Sequence, residues 1–508
     1  GNEGGAGMSD TPGTYAHGSS PVTLWRYQPN PRLAAALRRW LRPAFCLLVL
    51  GCLVCPASRV RSQDLSGYTM DNYMEWLQKY ADAKPDFKPG DVLTVKDLER
   101  IRPFVPPGYF EQLNFPELHM EIAQPSPHPM ARVYQDCTEK YGSQVRLAPD
   151  GALVNYLCGQ PFLNGDLNTN DATSGMKAAW NFDYHWDYYG LNGMLIWVWD
   201  RMGGSHQAMA PSAVEAPPPS FIEGINYVSQ WPTNIASDFG GGGTFQRILQ
   251  SYYQRAKFSH LAQLADQGGL VPLKGAKDFE WKEFNYFVEP FDIRGTAFII
   301  FRYEDPHRAD DAWAYVPTLR RVRRISAEVK SDSLLGTDFC LDDFYGFNGR
   351  PLEWNWKFLG WKQVLAVTDP KWDFPHFYGP NGTIPDDRWT LRQMAVIQRI
   401  PKDPRYPYKS ALMFVVGENW FSTYHFAFDR GGKLWKVVDW RWKYTEEYKT
   451  FAEINHGVHS MVFQNATNVD IQNKRGTMVP GPGFGYPDLN ARQVERVFDI
   501  NRLEEIHR

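Results

Sequence analysis

The densest charge cluster in the chain is Arg320, Arg321, Arg323 and Arg324. A guanidinium group presents a fixed fork of donors that matches phosphate and carboxylate. Two uses are open to such a cluster. One is capture of an anionic headgroup or a partner protein. The other is pairing across a sheet with Asp338, Asp342 and Asp343. Asp342 and Asp343 are adjacent, so on a strand they point to opposite faces and cannot flank one glycosidic bond, whereas Asp338 and Asp342 can share a face. His456 and His459 are the close histidine pair. Their spacing suits a metal on a helix, but Gly457 and Val458 between them read as strand or loop, and there is no H-E-x-x-H. Gly240–Gly243 lacks the Lys and Ser/Thr of a phosphate loop, and no G-x-S-x-G elbow occurs. No catalytic residue, metal ligand or cofactor is therefore nominated, and the chain is expected not to be an enzyme.

Aromatic residues make up 15% of the chain and hydrophobic residues 43%. Rings in that quantity fill thick β-sheet cores or line a cavity for an apolar ligand or a sugar. Nine are nominated by pattern as lining of a hydrophobic cavity: Trp180, Tyr184, Trp186, Phe298, Phe301, Trp313, Tyr315, Trp354 and Trp356. The net charge of −3, without a basic block interleaved with rings, gives no argument for nucleic acid. Of six Cys, Cys137 and Cys158 are the candidate pair for one disulfide in an oxidising compartment, leaving Cys340 as a small buried residue.

These residues need strands to hold them. Gly295–Tyr303, Ala312–Val316 and Arg321–Val329 read as an antiparallel meander broken by Asp/Pro turns. The first run is continuous enough to be buried on both faces, and the third is expected to have one dry face and one Arg face. Further strands are expected at LIWVWDR, WNWKFLGWKQVLAV, LRQMAVIQRI, ALMFVVG, YHFAF…LWKVVDWRWKY around the turn Asp429–Gly432, and VHSMVFQNA. Short strands are also expected near Met130–Tyr134 and Leu153–Tyr156. Ala178–Tyr189, with rings at alternate positions, reads as a strand bearing a row of aromatics. Phe245, Ile248, Leu249, Tyr252 and Ala256 make a dry stripe that predicts a helix capped by Thr244, running with its neighbours to Leu264. Thr69 and Thr94 are expected helix caps, the latter with Asp97 three residues on, and 490–498 a short terminal helix.

The order of several motifs carries a family resemblance. AWAYVPTLRRVRRI (312–325) is followed by SLLGTDFCLDDF (333–344), preceded by FVPPGYFEQL (104–113) and by GQPFLNGDLN…AAWNFDYHW, and followed by FDRGGKLWKV (428–437). Together they resemble the domain of unknown function 1329 family, within the outer-membrane lipoprotein-sorting superfamily of periplasmic lipoprotein carriers and receptors, over roughly 93–442. The resemblance implies an α+β, mainly antiparallel β fold: a large, curved, incomplete β-barrel with helices plugging the open side. It also implies a resistance-nodulation-division type transporter and an outer-membrane protein as partners. The chain is much longer than that carrier, and the segments around Gly203–Gly243 have no counterpart there.

Arg38, Arg39 and Arg42 before the short apolar run AFCLLVLGCLVCPAS read as a signal peptide, with cleavage after Ala57 or Ser62. Arg38-Arg39 also resembles a twin-arginine signal, and Val49–Cys52 a lipoprotein box. Met8 is an alternative start. The expected organisation is a disordered leader and signal peptide over 1–62 and one large domain over 63–508, helical over 66–120 and with an insertion or lid over 203–265. The expected function is a periplasmic or outer-membrane-associated, non-catalytic carrier of a lipid-like or other hydrophobic molecule in a Gram-negative bacterium. The alternatives are a secreted carbohydrate-active protein and a ligand-free structural subunit of an envelope complex.

Overall fold

β-branched and aromatic runs recur along the described sequence, and the architecture follows from pairing them. The computed structural model describes residues 65–201, 244–325, 331–373, 375–379, 382–449, 457–480, 483–486 and 491–504. These lie in one compact unit, Gln63–Arg508. The leader features and His456 fall outside the described residues.

The chain opens with α1 (Met70–Lys79), β1 (Val92–Thr94), α2 (Leu98–Ile101) and β2 (His119–Ile122). Both expected caps form: the Thr69 N–H donates to Asn72 Oδ1 at 2.9 Å, and the Thr94 N–H to Asp97 Oδ2 at 2.9 Å. Next come α3 (Arg132–Tyr141), a small hairpin of β3 (Arg146–Leu147) and β4 (Leu153–Val154), and α4 (Ser174–Asp183). A run of strands follows: β5 (Gly190–Arg201), β6 (Thr244–Lys257), β7 (Phe279–Glu289), β8 (Ala297–Tyr303), β9 (Asp311–Val316) and β10 (Arg321–Ile325). The second half adds β11 (Trp354–Ala366), a hairpin of β12 (Phe377–Tyr378) and β13 (Ile384–Pro385), β14 (Arg388–Pro401), β15 (Tyr408–Val416), β16 (Ser422–Asp429), β17 (Leu434–Tyr444), β18 (Met461–Asp470), β19 (Arg475–Pro480), β20 (Gly483–Tyr486) and α5 (Ala491–Val497).

Sixteen strands form one sheet in the order β1-β2-β14-β15-β16-β17-β18-β19-β5-β6-β7-β8-β9-β10, with β11 on β14 and β20 on β5. Pairing is antiparallel except between β2 and β14. The late strand β19 returns to pair with β5, so the two halves of the chain meet in mid-sheet. Among the described strands no pairing joins β10 back to the other end, so the sheet is open. This is the expected mainly antiparallel, incomplete barrel with a few helices.

Strand alternation separates two faces. On one, which we call the plug face, lie α4 and the segment 338–350. Gly175 of α4 sits so close to β11 that a Cβ there would come within 2.3 Å of the Trp356 carbonyl oxygen. Gly346 is at φ +99, and its missing side chain leaves room for Ser422, whose Oγ would be 2.6 Å from a Cβ. On the other face, α1 and α2 cover β15 and β16, where Tyr73, Trp76 and Ile101 share a core with Phe414, Tyr424 and Phe426.

Several expectations are corrected. Residues 178–183 belong to helix α4 rather than to a strand: Trp180 and Tyr184 are four apart, which satisfies both periods, and their rings stack at 5.8 Å as i, i+4 neighbours. Met130–Tyr134 leads into helix α3, not a strand. Thr244–Lys257 is the strand β6, not a helix. It lies between β5 and β7 with both faces buried at its C-terminal end, so apolar residues recur at helical spacing without a helix. The lid expected over 203–265 therefore contains a central strand, and 203–243 lies outside the described residues. β10 does not divide into a dry and an Arg face. Arg324 shares a face with Val322, while Arg321 and Arg323 share the other with Ile325. β8 is buried on both faces, and Asp429–Gly432 closes the β16–β17 hairpin, as expected.

Candidate functional site

On the plug face, β6, β7 and β8 turn Arg255, Glu283 and Arg302 inward, and all three are buried. Arg255 Nη2 donates to Glu283 Oε2 at 3.1 Å and to Asn348 of the plug, and its guanidinium lies 4.2 Å over the Trp281 ring. Arg302 Nη2 donates to Asp310 Oδ2 at 2.9 Å and to the Asn348 carbonyl at 2.7 Å. Arg350 Nη1 reaches Asp310 at 3.1 Å. Burial pushes Asp183 and Glu280 up and draws Lys257 down.

Further along the same face, Asp343 of the plug accepts from Arg399 and Tyr408. Burial acts to raise Asp343, but the neighbouring positive groups outweigh it and hold the carboxyl well below its usual range. Burial draws His425 down to about 3, so at neutral pH the cation that matters is Arg399. Asp338 accepts from Thr477 Oγ1 at 2.7 Å and Arg475 Nε at 2.8 Å. The arginines 320–324 do not meet Asp338, Asp342 or Asp343. Arg324 pairs with Asp311, and Arg320 sits in a turn at φ 47. The arginine quartet is therefore split between two faces and a turn, and the acidic trio is bound to other cations and hydroxyls.

Among the described residues, His128, Asp369 and Glu447 form a group with metal-ligand side chains. His128 Nε2 lies 2.8 Å from Glu447 Oε1 and 3.7 Å from Asp369 Oδ1. Its other nitrogen faces Arg392 Nη2 at 3.2 Å, and Arg392 also donates to Asp369 and Glu418. A metal-bound imidazole gives its second N–H to an acceptor. Here a guanidinium occupies that place, so Nδ1 accepts and Nε2–H donates to Glu447, leaving no lone pair for a metal. The arrangement fits an ion-pair network. His459 pairs with Glu446 at the surface.

The opposite face of β6–β9 is different. Lys282 stands across from Ala256 and Phe301, Phe284 across from Ile299, Ile299 across from Trp313, and Ala297 across from Tyr315. These residues form an aromatic strip over four strands. Val322 on β10 continues it, and Val494, Val497 and Leu503 of the C-terminal segment belong to the same apolar cluster. The Lys282 ammonium lies 4.0, 4.2 and 4.9 Å from the ring centres of Phe279, Phe301 and Phe258.

The nominated rings do not line one cavity. Phe301, Trp313 and Tyr315 lie on this strip, and Phe298 on the plug face of the same strands. Trp354 and Trp356 pack with α4 and Phe347; Trp180 and Tyr184 form a satellite cluster with Val145 and Phe162. Trp186 lies among Tyr345, Phe421 and Trp442 on the plug face. Beside Trp354 opens a cleft of about 510 Å³ that includes Tyr406, Asp342, Glu353 and Asp403. Trp354 is only 2% exposed and Asp342 accepts from Tyr406, so this cleft offers no ring face for stacking a sugar. Cys137 and Cys158 are joined in a disulfide, and Cys340 is a buried free thiol. Lys282 and the buried ion pairs were missed at the level of sequence. Only the alternation Lys282, Phe284, Tyr286 in β7 signals the strip.

Among the described residues no helix is long and apolar enough to cross a membrane. No curated protein matches the chain. Three solved structures are similar to the chain over part of its length. A domain from Vibrio parahaemolyticus, described as an outer membrane lipoprotein-sorting protein domain, is 16% identical, with 66% of this chain and all of that one covered and a TM-score of 0.40. A DUF1329 family protein from Desulfovibrio piger is 14% identical, covering 65% of this chain and 98% of that one, with a TM-score of 0.40. A LolA superfamily protein from Nitrosomonas europaea is 12% identical, covering 60% and 89%, with a TM-score of 0.30. The family described as "Protein of unknown function (DUF1329)" matches residues 227–482, just over half of the sequence. On that match the chain belongs to the DUF1329 family.

Proposed function

We propose that this protein is a non-catalytic binding protein of the Gram-negative cell envelope, which carries a lipid or other hydrophobic molecule for an envelope transport system. The observation that carries this reading is the aromatic strip on β6–β9. Three adjacent strands, β7–β9, present Phe284, Ile299, Phe301, Trp313 and Tyr315 on one face, and Val494, Val497 and Leu503 of the C-terminal segment belong to the same apolar cluster. An apolar chain laid there loses its contact with water, worth roughly 0.8 kcal/mol per methylene. Release requires the covering segment to move, biased by a partner. A resistance-nodulation-division type transporter and an outer-membrane protein are the partners this reading expects, with 63–508 acting as the mature domain after loss of the leader.

The carboxylates support a non-catalytic reading. Asp343, Asp338, Asp310 and Glu283 each sit against an arginine, so none is set up as a proton donor or base toward an open site. Native mass spectrometry of the mature protein purified from its own envelope tests the proposal. A stoichiometric apolar molecule that co-purifies, and whose occupancy falls in Trp313→Ala, is the expected result. A clean protein mass that stays unchanged after challenge with lipid extract would sink the carrier reading and favour a structural subunit.

A further inference from the structure

The aromatic strip contains one charge, on Lys282, that has no ion-pair partner among the described residues. Lys282 is half-buried among Phe258, Phe279 and Phe301, and among the described residues no carboxylate pairs with it. The acid on the same face, Asp311, lies across from Phe301 on the neighbouring strand. It accepts from the Tyr303 hydroxyl at 2.6 Å and pairs with Arg324. Buried cations elsewhere are satisfied: Arg255, Arg302 and Arg399 each meet a carboxylate, and Lys257, Lys362 and Lys436 each donate to a backbone carbonyl, whereas among the described residues Lys282 has neither. Ring faces attract an ammonium, by about 0.5–2 kcal/mol each, but they do not neutralise it. A cation in apolar surroundings without an anion is the arrangement that a bound anion improves most. Burial draws Lys282 down to about 8.

We propose that the molecule carried on the strip is an amphiphilic acid, whose carboxylate pairs with Lys282 while its apolar tail runs along Phe301, Ile299 and Trp313. This rests on the carrier reading and names its ligand class. The tail position follows from register, since Phe301 stands across from Lys282 and Ile299 across from Trp313. A neutral lipid of the same length gains the apolar burial but leaves the ammonium without an anion.

The test compares three single-chain probes, dodecanoate, dodecanol and dodecyltrimethylammonium, binding to the full-length mature protein below their micelle concentrations, by calorimetry at pH 7. Dodecanoate is expected to bind about tenfold more tightly than dodecanol, the size of one charge-assisted contact. Lys282→Met keeps the apolar stem and should erase that preference while dodecanol still binds. Lys282→Arg keeps the charge and should retain most of it. Equal binding of acid and alcohol by the wild type, tighter binding of the trimethylammonium probe, or a preference for the acid that survives in Lys282→Met would each overturn the assignment and leave the carrier reading standing. Binding of none of the three would refute both.

Discussion

The two faces of the sheet are built from the same strands and solve burial in opposite ways. On the plug face, Arg255, Glu283, Arg302 and Arg399 of β6, β7, β8 and β14 are met by Asn348 and Asp343 of the plug. On the strip face, rings and aliphatic side chains alternate with those charges along the same strands, and a lone ammonium stands among them. An ion pair out of water holds one geometry, because moving either partner exposes the other uncompensated. An apolar surface has no such directionality and can exchange one covering molecule for another. The comparison teaches that the plug side is held by directional ion pairs and the strip side by apolar contact, and on the carrier reading proposed above the strip is the side that is uncovered.

The strongest way to break this contrast is at Arg399. Arg399→Met leaves Asp343 buried beside Tyr408 without its guanidinium, and should lower stability by about 3–5 kcal/mol in urea unfolding. The double variant with Asp343→Asn should recover part of that loss. A loss below about 1 kcal/mol in the single variant would mean that the plug is not held by its ion pairs.

Asp187 sharpens the comparison through pH. Burial pushes its carboxyl up from 3.8 to about 6, although the Ala131 N–H donates to it. A folded value above the unfolded one means that the folded chain binds this proton more tightly. Stability therefore falls as pH rises from about 4 to about 6, and the full penalty is present above that window. Asp187→Asn should stabilise the protein at pH 7 by an amount on the order of 3 kcal/mol. The gain should shrink toward zero near pH 4, and a gain independent of pH would contradict this origin. The smallest effect is expected at the exposed Arg324, whose removal by Arg324→Ala should change the melting free energy by less than about 1 kcal/mol despite its pairing with Asp311.

Much of the sheet could be read from sequence where a strand keeps one pattern along its length. β8 was legible as a continuous apolar run, and the β16–β17 hairpin from Asp429–Gly432. Thr69 and Thr94 marked their caps because capping is a local contact. β6 was not legible, because its C-terminal end is buried on both faces and the spacing of its apolar residues mimics a helix. α4 was misread because rings four apart satisfy period two as well as a helical turn. The candidate site was hardest to read: its meaning depends on which charges are satisfied, and the partners are distant in the chain.

The sequence by itself determined the strand runs, turns and caps of a mainly antiparallel sheet, because these are written in neighbouring residues; that the sheet stays open was implied by the DUF1329 resemblance. It also placed Phe301, Trp313 and Tyr315 in strands, where alternation puts them on a common face once the register is known. The tertiary structure alone decided which arginine meets which acid. Asp343 and Arg399 are 56 residues apart, and Asp338 and Arg475 are 137 apart. It alone placed Lys282 among rings with no carboxylate partner among the described residues, because strand register, not composition, brings charges together or keeps them apart.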